Sequence, residues 1–162
     1  MKVHKRIVIG ALLLLPLLAG TALATPGVGV VRAPVHARGS HPDELNVHSH
    51  AGVTLETSSP VDFVTQEIVL EPGGTTGWHS HPGPVLVTVK TGELTLVYAD
   101  DASCAGTTYG EGQSFVDRGD ETVHTALNRG PTNVELWATY LIPGEPGPPA
   151  RLDAPSTGGC PF

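Results

Sequence analysis

Positive charge is scarce in this 162-residue chain, which has three lysines and only nine Lys and Arg against sixteen Asp and Glu. Three of the nine, Lys2, Lys5 and Arg6, lie in the first 24 residues, where no acidic residue occurs. Loss of that segment takes the formal charge from −7 to −10 and leaves Lys90 as the only lysine. So acidic a surface repels nucleic acid and anionic lipid, and neither is expected as a partner. Nor is there a basic cluster for strongly anionic substrates. Cysteine is as scarce: Cys104 and Cys160 form no C-x-x-C pair, which argues against a zinc ribbon and a dithiol redox motif. The chain lacks Gly-x-Ser-x-Gly, a phosphate loop and a dinucleotide fingerprint. It shows no repeat of about 20–50 residues and no helical period with caps. Any chemistry has to come from a bound metal.

Long apolar runs are missing too, with one exception, Ile7–Leu18. Positive residues precede it and Ala22-Leu23-Ala24 follows, the order of a secretory signal with an A-x-A cleavage site. The run falls short of the roughly 20 residues that span a bilayer, and neither a lipid-accepting cysteine nor an arginine pair accompanies it. Residues 1–24 are therefore read as a signal peptide. The mature chain should start near Thr25, secreted or periplasmic and free of the membrane. A Cys104–Cys160 disulfide suits that compartment. It would close a loop of about 57 residues, on the order of 4 kcal/mol in the chain-entropy view.

The remainder reads as one all-β domain. Period-2 alternation runs through Val85-Val87-Val89, Leu94-Leu96-Tyr98 and Val134-Leu136-Ala138-Tyr140, the pattern of half-buried strands. Glu71-Pro-Gly-Gly, Lys90-Thr-Gly, Tyr109-Gly-Glu-Gly and Asn128-Arg-Gly-Pro separate the strands, which indicates a sandwich or jelly roll. Residues 25–46 read as an irregular N-terminal arm and 47–143 as the barrel. Residues 144–162 read as a Pro/Gly-rich tail wrapped along the outside, too rich in proline for a sheet interior.

The chemistry concentrates in Trp78–Lys90. His79 and His81 stand at i and i+2 and point to one face of a strand, roughly 7 Å apart. His124 lies in a later strand-like segment, and three neutral imidazoles converging in a small barrel suit a divalent metal with open positions. Ser80 should point away from them. His36, His41, His48 and His50 lack this context and read as solvated polar residues.

Gly73, His79, His81 and Gly92 fall at the spacings of the first cupin motif, and His124 and Asn128 at those of the second, with Gly112 and Gly119 upstream. The chain thus resembles a single-domain member of the cupin superfamily. That resemblance implies a cupin double-stranded β-helix, a jelly-roll barrel. Two departures stand out. Val85 occupies the family's glutamate position, and the turn Asp117-Arg118-Gly119-Asp120 lacks a proline and carries one extra residue before His124. The expected site is then His79, His81 and His124 with water, holding Fe(II), Zn, Ni, Cu or Mn. Gln66 or Glu67 is the candidate substitute oxygen ligand.

Three functions follow from this reading. One is an exported metal-binding cupin that holds a small organic ligand, alone or as a homodimer. Another is a metal-dependent dioxygenase-type oxidoreductase acting on a small substrate, with Gln66, Glu67, Tyr109 and Tyr140 as acid–base candidates and no catalytic residue assigned. The third is a structural or interaction barrel. Trp78, Phe115, Trp137 and Tyr140 are candidate cavity-lining aromatics. Metal binding should weaken below about pH 6 as imidazoles protonate, and breaking the disulfide should leave metal content intact.

Overall fold

A computed structural model describes residues 24–156, 159–160 and 162; apart from Ala24, the segment read as a signal peptide lies outside the described residues. Strands in chain order are β1 (Val28–Arg32), β2 (Val35–His41), β3 (Asn46–His48), β4 (Thr54–Glu56), β5 (Val61–Thr75), β6 (His79–Ser80), β7 (Val85–Thr91), β8 (Glu93–Tyr98), β9 (Thr107–Gly110), β10 (Ser114–Asp117), β11 (His124–Leu127), β12 (Val134–Pro143) and β13 (Leu152–Asp153). No helix occurs among the described residues.

The long β5 organises the rest. Its run of Val, Ile, Phe and Thr favours the pleated backbone. It pairs antiparallel with β12 from Val61–Pro143 to Leu70–Val134. β12 pairs in turn with β7, and β7 with β10. The far end of β5 crosses into the second layer, where Thr75 pairs with Leu127 of β11. There β11 lies between β8 and β6, β8 pairs with β9, and β6 with β13. The result is a near-closed jelly-roll barrel.

The alternation read from the sequence sets the interior. Val85, Val87 and Val89 of β7 point inward while Leu86, Thr88 and Lys90 face out, and Val134, Leu136, Ala138, Tyr140 and Ile142 of β12 are buried likewise. These join Leu70, Leu94 and Leu96 in one core. A second apolar cluster lies on the other face of β8 and β11, where Val97 and Leu127 pack with Trp78, Ala154 and Cys160. The C-terminal tail covers that face. Cys160 is bonded to Cys104, with Cα atoms 5.6 Å apart across 56 residues of sequence, and the amide of Ala154 donates to Trp78 O at 3.0 Å.

Residues 25–46 differ from the irregular arm expected of them. They contain β1 and β2, both paired with the free edge of β5. Their registers slip between Val28 and Arg32 and again between Val35 and Ala37, and Val28, Val31 and Val35 remain exposed. Main-chain bonds hold these strands, so their side chains carry no period-2 signal. Ion pairs Arg32–Glu67 and Arg38–Asp62 fasten them. The hairpin of β3 and β4 stands apart as its own two-stranded sheet; there exposed His48 lies 3.2 Å from Glu56.

Opening the Cys104–Cys160 bond, by reduction or by Cys160→Ser, should lower the melting temperature by about 5–10 °C, as expected for a loss of about 2 kcal/mol or more. Thermal denaturation with and without reductant measures it. Equal transitions would mean that strand pairing alone holds the tail over Trp78.

Candidate metal centre

His79 belongs to β6, His81 to the short loop after it, and His124 opens β11 as the cross-strand partner of His79. All three are buried. Their ring centroids are 4.5 Å (His79–His124), 4.8 Å (His79–His81) and 5.1 Å (His81–His124) apart. The loop carrying His81 reaches this position because two glycines let two backbones touch. A Cβ on Gly119, which has φ +72, would fall 2.3 Å from the carbonyl of Gly83, and one on Gly83 would fall 2.1 Å from Leu141 O. The amide of Glu121 then donates to His81 O at 3.1 Å. Around the extra residue in this turn, Asp120 and Glu121 both adopt left-handed backbone conformations (φ 53 and 55), uncommon for non-glycine residues and a mark of local strain near functional sites.

Each imidazole is oriented by the main chain. Nδ1–H of His79 donates to Gly77 O at 2.8 Å, that of His81 to Ala150 O at 2.6 Å, and that of His124 to Thr122 O at 3.0 Å. A carbonyl oxygen can only accept, so each Nδ1 carries the proton and each Nε2 presents a lone pair. Burial holds the rings neutral. It pushes His79 down to about 2, helped by the neighbouring His124, and His81 down to about 4, and it lowers His124 as well.

An acidic residue not singled out as a ligand in the sequence joins the histidines. Asp117 ends β10 as the cross-strand partner of Val85, and both are 2 % exposed. Its Oδ1 accepts from Tyr98 OH at 3.2 Å and from the Gly119 amide at 3.4 Å. Oδ2 lies 3.5 Å from His124 Nε2 and 3.9 Å from His81 Nε2 and has no hydrogen-bond partner among the described residues. The sequence held one hint, the departure from the family's turn at Asp117–Asp120. Only the β7–β10 pairing places this carboxyl at the site.

A cavity of about 490 Å³ adjoins the histidines, walled by side chains such as Val64, Ile68, Val87, Leu96, Leu136 and Phe115. The arm (Val30, Val35) and the tail (Pro149–Arg151) border it. Gln66 faces this space and accepts from Tyr140 OH at 2.8 Å; burial pushes the Tyr140 phenol up to about 12, so it serves as a donor. Glu67 does not reach the site. It pairs with Arg32 and His36 on the outer face, where Trp137 stacks on His36. Tyr109 stacks on Phe115, and Trp78 lies in the cluster beneath the tail. Of the four aromatics read as cavity-lining, Phe115 and Tyr140 border this cavity.

The tail also contacts the site. Ala150 supplies the acceptor for His81, and β13 pairs with β6 at Leu152–Ser80 and Asp153–His79.

Residues 66–140 match the family described as Cupin domain. No curated protein sequence matches the chain. Among solved structures, the chain is similar to a conserved double-stranded β-helix protein of Klebsiella pneumoniae subsp. pneumoniae MGH 78578, at 23% identity over 69% of this chain and 84% of that one, TM-score 0.47. It is similar to a cupin superfamily protein of Desulfitobacterium hafniense DCB-2, at 10% identity over 69% and 84%, TM-score 0.44. A further similarity is to the polyketide cyclase RemF of Streptomyces resistomycificus, at 18% identity over 60% and 63%, TM-score 0.47.

Neutral buried imidazoles make stability depend on pH. Their folded pKa values lie below the unfolded value of 6.5, so the unfolded chain takes up protons first. This contribution is complete above about pH 6.5 and is lost as pH falls toward 4 and below, at up to about 1.4 kcal/mol per pH unit for each ring. Metal-free protein should melt progressively lower between pH 6.5 and 4.5. A constant melting temperature over that range would show that the rings protonate without leaving the barrel.

Proposed function

From the match of residues 66–140 to the Cupin domain family, we propose that this chain is an exported metal-binding cupin, holding a divalent transition-metal ion through Nε2 of His79, His81 and His124 and a small organic ligand in the adjoining cavity. The observation that carries this reading is the set of three Nδ1–H bonds to main-chain carbonyls, which aims three lone pairs at one space. Outer hydrogen bonds of this kind are what orient imidazole ligands in metal sites. When bound, the ion supplies Lewis-acid or redox chemistry at the positions that the protein leaves open. The apolar wall selects a ligand with a hydrocarbon body and excludes water, while Tyr140 and Gln66 give it a polar anchor. The Cys104–Cys160 bond supports an oxidising compartment outside the cytoplasm.

The Tyr140 hydroxyl supports a second reading, a dioxygenase-type oxidoreductase. The ring lies 5.2 Å from that of His81, and its proton, given to Gln66 Oε1 in this structure, would turn instead to an oxygen atom of a bound substrate. Oxygen uptake against thiols, diketones and phenols separates turnover from simple binding.

Elemental analysis of the purified protein should find about one transition-metal ion per chain, and His79→Ala with His81→Ala should abolish it. Stoichiometric metal in the double variant would refute the site. Because burial keeps His81 neutral down to about 4, metal should be retained to about pH 5, lower than the sequence alone suggests. Release with a midpoint near 6.5 would contradict the burial argument. Reduction of the disulfide should weaken metal binding, by freeing the tail whose Ala150 orients His81, and equilibrium dialysis with and without reductant measures that coupling.

A further inference from the structure

We infer that Asp117 is a fourth protein ligand of this centre, so that the ion is held by three imidazoles and one carboxylate supplied by β10. The inference rests on the three-histidine reading and extends it. Its basis is a cluster in which every group accepts and none donates. With their protons on Nδ1, His81 and His124 offer only lone pairs toward Asp117 Oδ2, and at 3.9 and 3.5 Å nothing bonds them to it. A buried carboxyl oxygen without a donor is an arrangement that folded proteins avoid, and a cation between these atoms resolves it. The separations of Oδ2 from the His81 and His124 nitrogens suit one shared ion. Two atoms each about 2.1 Å from a metal lie roughly 3.0–4.2 Å apart at the angles of tetrahedral or octahedral coordination.

A purely structural role accounts for only half of the side chain. Oδ1 secures the turn through Gly119 and is fixed by Tyr98 OH, while Oδ2 is left directed at the imidazoles. Tyr98 is itself the cross-strand partner of His124, so the phenol that orients the carboxyl stands in the same row as two of the proposed ligands. Val85, opposite Asp117, faces the same space and needs no donor of its own. A carboxylate adds a negative charge and an oxygen to an otherwise neutral nitrogen set, which shifts preference toward harder ions such as Mn(II) and Fe(II).

The test is a titration of chelator-stripped full-length protein with Mn(II) and with Zn(II), followed by calorimetry. Asp117→Asn keeps the side chain's shape and its Oδ1 contacts. It should weaken Mn(II) binding about tenfold or more and Zn(II) binding less, with the metal-free melting temperature nearly unchanged. A second variant moves the carboxylate across the strand pair: Asp117→Val alone should lose Mn(II), and adding Val85→Glu should restore it. Wild-type affinity for both ions in Asp117→Asn, with binding still abolished by His79→Ala and His81→Ala, would overturn the role of Asp117 and leave the three-histidine reading intact. No failure of rescue in the swapped pair is compatible with the proposal if that protein melts cooperatively. Wild-type protein that takes up neither ion would overturn both readings together.

Discussion

The site depends on three hydrogen bonds from imidazole Nδ1–H to main-chain carbonyls. They determine the tautomer of each ring, its rotation, and the direction of the remaining lone pair. Two are local, since His79 and His124 each reach back two residues, to Gly77 and Thr122. The third spans 69 residues, from His81 to Ala150. The geometry of the histidines is therefore settled partly by strand backbone and partly by the seating of a tail that enters no central strand. The crossing of β5 between layers, the close contact of Gly83 with Gly119, and the pairing of β13 with β6 all converge on keeping those three acceptors in place.

Around this polar centre the barrel is strongly partitioned. Gln66 and Glu67 are adjacent on β5 yet serve opposite faces, the first bordering the cavity and the second binding Arg32 and His36 outside. The alternation of the pleat makes that division. Asp62 follows the same logic at the end of the strand, where Arg38, Ser40 and the Gly147 amide surround its buried carboxyl and hold it below the ordinary carboxylate range, the Ser40 and Arg38 hydrogen bonds dominating. Most acidic groups of this chain meet solvent or a cation, whereas Asp117 Oδ2 meets lone pairs.

The sequence disclosed what repeats and what lies close together along the chain. β7 and β12 were visible because burial on one face only imposes period 2, and His79 with His81 because i and i+2 share a face. The long-range disulfide was inferable from cysteine count and compartment. Edge strands with outward-facing side chains left no pattern: β1 and β2 lie on the outer edge of β5, with valines exposed and registers slipped, held by main-chain bonds and the Arg32 and Arg38 ion pairs. Asp117 was hidden for a related reason. Its relation to the site runs across the β7–β10 ladder, and a cross-strand neighbour has no characteristic spacing in sequence. Ala150 acts through its backbone oxygen, which no side-chain reading can register.

Pinning every Nδ1 to the protein scaffold also imposes an itinerary. The free nitrogens border a cavity that the arm and tail also line, so an ion and an organic ligand held as proposed would share one space. On the proposed function, an ion would enter before a bulky organic guest takes the space in front of it, and would leave after that guest departs. Loading would then be sequential, unloading would follow the reverse order, and the residence time of the metal would be hostage to that of the guest.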